Sequence, residues 1–213
     1  MAALQGSLLD ALSTAGVDEP DLAPLGAGLV RTPLAHGAWI DHQLGWLTAS
    51  DVVFEHVATT VPWRAEQRQM YERVVAVPRL VSWFGAADRL PHQVLVDARD
   101  ALSARYRTDE PGGFATAGMC LYRDGNDSVA WHGDTIGRGR TEDTVVAIVS
   151  LGAPRALLLR PRGGGASHRF VIGHGDLLVM GGSCQRTWEH AVPKTAKASG
   201  PRISVQFRAA GVR

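Results

Sequence analysis

Three residues of types that bind metal ions stand in two separate segments of the chain. His132-Gly-Asp134 is a His-x-Asp sequence, and His190 follows much later. Side chains alternate between faces along an extended segment, so His132 and Asp134 would point the same way. Two histidines and one carboxylate on one side of a metal leave the opposite positions open, as non-haem iron(II) oxygenases require. We predict that His132, Asp134 and His190 are catalytic metal ligands.

A second His-x-Asp sequence, His174-Gly-Asp176, competes with the first. Glycines stand on both sides of its histidine, and β-rich runs flank the whole segment. This context favours a hairpin turn in which the Asp176 carboxylate accepts hydrogen bonds from the backbone. The spacing of either copy alone does not distinguish a ligand pair from a chance occurrence.

The last β-rich segment, Arg202–Arg208, favours the first copy. Its alternation places four polar residues on one face, namely Arg202, Ser204, Gln206 and Arg208. Guanidinium groups pair with carboxylates in a fixed bidentate geometry, so two arginines on one face can bind a dicarboxylate. A solvated sheet face would give the same alternation, and this segment alone leaves both interpretations open.

These residues need a scaffold, and the second half of the chain predicts one made of strands. Short β-rich runs separated by Gly, Asp and Pro predict a double-sheet jelly roll. The runs are Ala117–Tyr122, Ser128–Trp131, Thr144–Leu151, Ala156–Leu159, His168–Ile172, Leu177–Met180 and Ile203–Arg208.

The first half predicts helices. One starts near Thr48–Asp51 and ends at Pro62, a second is opened by Pro91, and a shorter pattern covers 7–15. We expect a peripheral N-terminal segment over 1–28 and a single domain over 29–213.

Composition predicts an ordinary globular protein. Of 213 residues, 45% are hydrophobic and 20% are charged. We expect no membrane span and no secretory signal, and a cytoplasmic monomer whose two cysteines are free thiols. Residues 1–119 carry 9 Lys/Arg against 14 Asp/Glu, whereas 120–213 carry 13 against 7. The basic half permits a polyanionic partner. Its cations include Arg138, Arg140, Arg155, Arg160, Arg162 and Arg169.

From about Val61 to Arg208, the sequence resembles the AlkB family of nucleic-acid dealkylating dioxygenases. The family's ordered pattern of His-x-Asp, a distal His and Arg-x5-Arg is present. The likeness is strongest over 122–134, 175–180, 188–194 and 201–208, and 77–85 is similar to the segment ahead of the family's lid. The resemblance implies a mainly β α+β fold. Its parts would be N-terminal helices, a nucleotide-recognition lid at about 61–90 and a double-stranded β-helix core at about 114–210.

The resemblance also implies a chemistry. Fe(II), 2-oxoglutarate and O2 would be used to demethylate N-alkylated bases in DNA or RNA, releasing formaldehyde, succinate and CO2. The target would be single-stranded or have its base flipped out. Arg202, Tyr122 and Arg208 would bind 2-oxoglutarate, and Trp63 and Trp83 would be aromatic contacts in the lid.

Two positions depart from the family pattern. Cys120 stands in the co-substrate pocket where the family usually has asparagine, and cysteine is a poor hydrogen-bond partner for a carboxylate. Thr135 and Ile136 stand near the base, where the family tends to have an acidic residue. Three alternatives therefore stay open. These are the same oxygenase chemistry on a protein or small molecule, a catalytically weak nucleic-acid-binding homologue, and zinc hydrolysis at the same ligands.

Overall fold

The computed structural model describes residues 19–26, 28–70, 73–197 and 200–212. The short helix expected over 7–15 lies outside these residues. In chain order, the strands and helices are β1 Val30–Pro33, β2 Ala38–Gln43, α1 Ser50–Thr60, β3 Arg64–Met70, β4 Arg73–Phe84, α2 Gln93–Arg105, β5 Thr116–Tyr122, β6 Val129–His132, β7 Val146–Gly152, β8 Arg155–Pro161, β9 His168–Ile172, β10 Leu177–Gly182, α3 Cys184–Thr187, β11 Trp188–Val192 and β12 Arg202–Arg208.

The described strands form two sheets. The major sheet has eight strands in the order β1-β2-β10-β7-β12-β5-β4-β3, and the minor sheet has four in the order β6-β11-β8-β9. This mainly β, jelly-roll architecture confirms the predicted fold class. All seven predicted strands are present with boundaries shifted by at most a few residues, whereas β1 to β4 and β11 had not been predicted.

Two apolar layers hold the fold together. One lies between the helices and the major sheet, where Val57 of α1 and Leu95 of α2 are fully buried. The other lies between the two sheets and includes Ile148, Leu159 and Met180. The polar face of β12 borders this second layer, so the candidate site lies between the sheets.

Helices α1 and α2, which the sequence predicted, are both present, and their first residues differ slightly from the prediction. The first begins at Ser50, after Ala49 in a left-handed conformation with φ of 45°. The second begins at Gln93 rather than at Pro91, because the His92 side chain caps it by accepting the Val94 N–H. Among the described residues, no helix is both long and apolar enough to cross a membrane.

The segment expected to form a lid, about 61–90, contains the antiparallel β3–β4 hairpin. Residues Leu80–Phe84 of β4 pair with β5, so the hairpin continues the major sheet to its edge. A lid role for this hairpin stays a prediction.

Candidate active site

The structure brings His132, Asp134 and His190 together. Strands β6 and β11 are antiparallel neighbours in which His132 pairs directly with His190. The two imidazole centroids lie 4.2 Å apart. Asp134 follows β6 by two residues, and the potential ligand atoms of all three side chains lie within 4.8 Å of one another. The arrangement thus depends on the register of two strands of the minor sheet.

A hydrogen bond of His132 and the burial of His190 prepare the two rings for binding a metal. The Nδ1 of His132 lies 2.9 Å from the Ala130 carbonyl oxygen. The Nδ1–H therefore donates to this carbonyl and orients the ring so that Nε2 lies 3.9 Å from Asp134 Oδ1. Burial of His190, with His132 beside it, lowers its pKa to about 3. A neutral imidazole is the form that binds a metal.

Asp134 is held as an anion. Burial alone would raise its pKa, but Arg208 and His190 outweigh that effect and lower the pKa to about 2. The Arg208 Nε–H donates to Asp134 Oδ2 over 2.6 Å. The Asp134 backbone N–H donates to Gln185 Oε1 over 3.1 Å. With Oδ2 occupied by Arg208, Oδ1 is the oxygen near the His132 ring.

Gly133, between His132 and Asp134, lies so close to neighbouring atoms that a larger residue would not fit. A β-carbon there would lie 2.7 Å from the Gln185 carbonyl oxygen and 2.9 Å from Arg162 Nη2. The contact with the carbonyl involves backbone, which cannot swing away as the end of a side chain can. Glycine therefore lets the His-x-Asp turn dock against α3.

The donor set fits an Fe(II) ion. Within the described part of the chain, these three residues form the one group of at least three potential ligands. Two imidazoles and one carboxylate match the ligand preference of non-haem iron(II).

The competing His174-Gly-Asp176 forms a turn, as the sequence predicted. The Asp176 carboxylate accepts the Gly173 N–H at 2.6 Å and the Gly45 N–H at 2.8 Å. His174 Nδ1 accepts the Gly152 N–H at 2.7 Å. These side chains are thus engaged with backbone groups that connect the turn to neighbouring segments.

Arg202 provides a buried cation on the face of β12 that borders the inter-sheet layer. Its side chain is almost fully buried, and its Nε–H donates to Ser150 Oγ over 2.9 Å. The ion pairs of the described residues include no carboxylate partner for Arg202. Burial lowers the pKa of Arg202. A buried cation without an anion is costly, and a bound carboxylate would relieve that cost.

Tyr122 and Cys120 lie beside this cation on β5. Tyr122 pairs with Arg202 across the strands, and Cys120 pairs with Ser204. Burial, followed by the neighbouring Cys120, raises the pKa of Tyr122 to about 12. The phenol therefore keeps its proton and can donate a hydrogen bond. Both cysteines, Cys120 and Cys184, are free and buried, as expected.

A surface groove of about 420 Å³ adjoins the site. Two of its lining side chains are exposed, Trp83 to 42% and Ile136 to 69%. The Trp83 ring and Arg208 Nη1 both lie against Gly118, at 3.4 and 2.9 Å from the position of a built β-carbon. The Trp83 ring, which lines the groove, therefore lies near Arg208, which contacts Asp134.

Two residues predicted to contact substrate are placed differently. The Trp63 indole N–H donates to the Ala58 carbonyl over 3.1 Å, and its ring packs in the layer between helices and major sheet. Trp63 therefore does not line the groove, because the end of α1 holds it. Thr135 is partly buried in the turn, where its N–H donates to the Gly133 carbonyl, and Ile136 is the residue that lines the groove.

The basic residues do not form one open cationic face. Arg155 is buried and donates to the carbonyl oxygens of Asp124, Asp127 and Pro193. Arg138 pairs with two glutamates, and Arg160 pairs with Glu189. These three cations are therefore engaged within the protein, whereas the excess of basic residues in 120–213 had only permitted a polyanionic partner.

Three residues of the site were not assigned roles from the sequence. They are Ser150, Gln185 and Gln206, which contact Arg202, Asp134 and Arg208. The alternation of β12 did place Gln206 on the arginine face. Nothing in the local sequence marks Ser150 or Gln185, because their contacts come from strand pairing and from the docking of α3.

The fold and the donor set define a class of enzyme, and comparison with known proteins agrees with it. Residues 48–208 match the model of the 2OG-Fe(II) oxygenase superfamily. The chain belongs to this superfamily and is a dioxygenase that uses Fe(II), 2-oxoglutarate and O2. Within the superfamily it is AlkB-like.

Relatives with established names support that narrower placement. Alpha-ketoglutarate-dependent dioxygenase alkB homolog 3 of Bos taurus is 29% identical, over 91% of this chain and 70% of that protein. The Homo sapiens protein of the same name is 27% identical over the same shares. DNA oxidative demethylase ALKBH2 of Arabidopsis thaliana is 33% identical over 52% of this chain and 42% of that protein.

Solved structures share the fold. The structure of OsALKBH1 has a TM-score of 0.59 at 13% identity and covers 84% of this chain and 100% of that one. A Trichoplax adhaerens prolyl hydroxylase, in complex with a hypoxia inducible factor peptide fragment, has a TM-score of 0.56 at 15% identity. It covers 82% of this chain and 84% of that one.

Proposed function

We propose that this protein oxidatively removes N-linked methyl groups from bases of DNA or RNA. The observation that carries the proposal is the groove beside the His–Asp–His cluster, with Trp83 and Ile136 exposed along it. An aromatic ring beside an aliphatic side chain is a suitable surface for a flat base. The relatives named alkB homolog 3 and DNA oxidative demethylase support the same substrate class.

The residues divide the work as follows. His132, Asp134 and His190 hold Fe(II), and Arg208 keeps Asp134 ionised and oriented. Arg202 and the protonated Tyr122 bind the carboxylate of 2-oxoglutarate that lies away from the metal. Fe(II) held there would supply the oxidation chemistry, in which 2-oxoglutarate and O2 give succinate and CO2 while the methyl carbon is hydroxylated and then lost as formaldehyde.

The substrate reaches the groove as an extruded or unpaired base. Extrusion costs a few kcal/mol, which favours single-stranded or damaged targets. Arg162 is exposed beside Gly133, and its guanidinium donates to the carbonyl oxygens of Gln185 and Arg186. The ion pairs of the described residues do not include it, so its charge is available to a phosphate. The enzyme acts as a monomer in the cytoplasm, where Cys120 and Cys184 remain reduced.

A turnover screen tests the proposal. Methylated single-stranded DNA and RNA are expected to stimulate succinate release, with one formaldehyde formed for each methyl group lost. The matched control is the same oligonucleotide without methylation, which should give no formaldehyde. Succinate release that responds to a peptide or small molecule, and not to any methylated oligonucleotide, would contradict the proposal.

Ile136 is expected to influence which methylated base is preferred. The described residues that line the groove include no carboxylate to pair with a cationic base such as 3-methylcytosine. Ile136→Asp should raise kcat/KM for 3-methylcytosine relative to the neutral 3-methylthymine, by roughly 2- to 5-fold, because an exposed charge pair is worth at most about 1 kcal/mol. Ile136→Asn is the uncharged control. An equal change for both bases would place Ile136 outside the base pocket.

A further inference from the structure

Gln206 places an amide in the middle of the polar face of β12. It lies between Arg208 and Ser204 on that face, and its backbone pairs with Gly118 of β5. Gly118 presents no side chain there, and the space above it is taken by Arg208 Nη1 and the Trp83 ring, at 2.9 and 3.4 Å from the position of a built β-carbon.

The orientation of the Gln206 amide follows from its neighbours. Arg208 Nη2 lies 3.0 Å from Gln206 Oε1. A guanidinium can only donate hydrogen bonds, so the atom facing it must be the carbonyl oxygen. The NH2 group therefore points the other way, 3.1 Å from Ser204 Oγ and 3.5 Å from Cys120 Sγ. A thiol sulfur is a weak acceptor, which leaves a strong donor with a poor partner at Cys120.

The position of this donor relative to the charged groups is informative. On one side, Arg208 connects Gln206 to Asp134. On the other side, Arg202 and Tyr122 mark the end of the face that takes the distal carboxylate. The amide therefore lies between the metal ligands and the distal anchor, where the 2-oxo acid end of the co-substrate must lie.

We infer that Gln206 is a co-substrate-binding residue that donates its Nε2–H to the carboxylate beside the keto group of 2-oxoglutarate. In this role Gln206, reaching over from β12, supplies the amide that Cys120 of β5 cannot supply. The inference rests on the proposed binding of 2-oxoglutarate along this face.

Two substitutions test the donor. Gln206→Leu removes the amide and should weaken 2-oxoglutarate binding by about 10-fold or more, the loss typical of a hydrogen bond to a charged group. Gln206→Glu keeps an oxygen for Arg208 but replaces the NH2 group with a second oxygen, and should weaken binding further through repulsion between carboxylates. Affinity is measured by calorimetry on protein loaded with Mn(II), which separates binding from turnover.

Two controls distinguish co-substrate binding from damage to the fold or metal site. Gln93→Leu makes the same chemical change at an exposed position of α2 and should leave the affinity unchanged. Mn(II) affinity without 2-oxoglutarate should be the same in wild type and Gln206→Leu. Unchanged 2-oxoglutarate affinity in both Gln206 variants would overturn the inference.

A rescue experiment tests whether the amide of Gln206 on β12 replaces one that is missing at Cys120 on β5. Cys120→Asn should tighten 2-oxoglutarate binding little in the wild-type background, but should restore most of the lost affinity in Gln206→Leu. If the two substitutions changed the free energy of 2-oxoglutarate binding additively, Gln206 would not be replacing an amide at position 120. Failure of the wild-type protein itself to bind 2-oxoglutarate would instead overturn the proposed function, so the two failures are distinguishable.

Discussion

Replacing His132 with alanine is expected to abolish metal binding and to lower succinate production by about 10³-fold or more. Loss of a group that merely orients a metal ligand typically costs about 10- to 100-fold, and loss of the ligand itself costs more. The His132 side chain is 39% exposed, so the fold should survive the substitution. Metal content after dialysis and succinate formation are the measurements.

The second His-x-Asp sequence provides a matched control for this prediction. His174→Ala removes the acceptor of the Gly152 N–H and should cost about 1 kcal/mol of stability. It should leave metal content and turnover intact. If His174→Ala lost activity and His132→Ala retained it, the metal ligands would be His174 and Asp176 instead.

Arg202→Met is expected to raise the dissociation constant of 2-oxoglutarate by about 10²-fold or more. Hydrogen-bonded charge pairs in buried sites cost about 2–5 kcal/mol when one partner is removed. The free energy of unfolding without co-substrate should stay the same or rise, because the substitution removes a buried cation that lacks a carboxylate partner in the described structure. Calorimetry and thermal unfolding measure the two effects.

Arg155 gives the contrasting case. It is also buried near Tyr122, but its guanidinium donates to three backbone carbonyls. Arg155→Met should therefore lower stability by about 3 kcal/mol or more, since it leaves buried acceptors unsatisfied. If the Arg202→Met variant bound 2-oxoglutarate as tightly as the wild type, Arg202 would not belong to the co-substrate site.

The sequence predicted strands that are β-rich runs between turn residues, and missed those in which polar residues interrupt the run. In β11 the polar Glu189 and His190 interrupt the apolar run. In β2 the buried Asp41 interrupts the apolar pattern, because it accepts hydrogen bonds from Arg31 and Tyr106. The polar strand β3 is recognisable only through its pairing with β4.

The candidate site was predictable in its residue types and not in its contacts. The turn at Asp176 followed from its glycines, which removed the competing pair from consideration. The meeting of His132 and His190 depends on register, which no local pattern encodes. The pairing of Arg138 and Arg160 with acids distant in sequence could not be anticipated from counts of charge.

The direct pairing of His132 with His190 has a consequence for how such an enzyme can change. The backbone ladder between β6 and β11 sets the spacing of the two imidazoles, whereas Ile136 and Gly137, on the groove, belong to the irregular segment after Asp134. Insertions beyond Asp134 can therefore remodel the groove while the ladder stays intact. A single-residue deletion within β6 or β11 would instead turn one histidine to the opposite face. In this architecture, evolution or engineering can therefore vary the substrate range while the metal ligands, and with them the oxidation chemistry, stay in place.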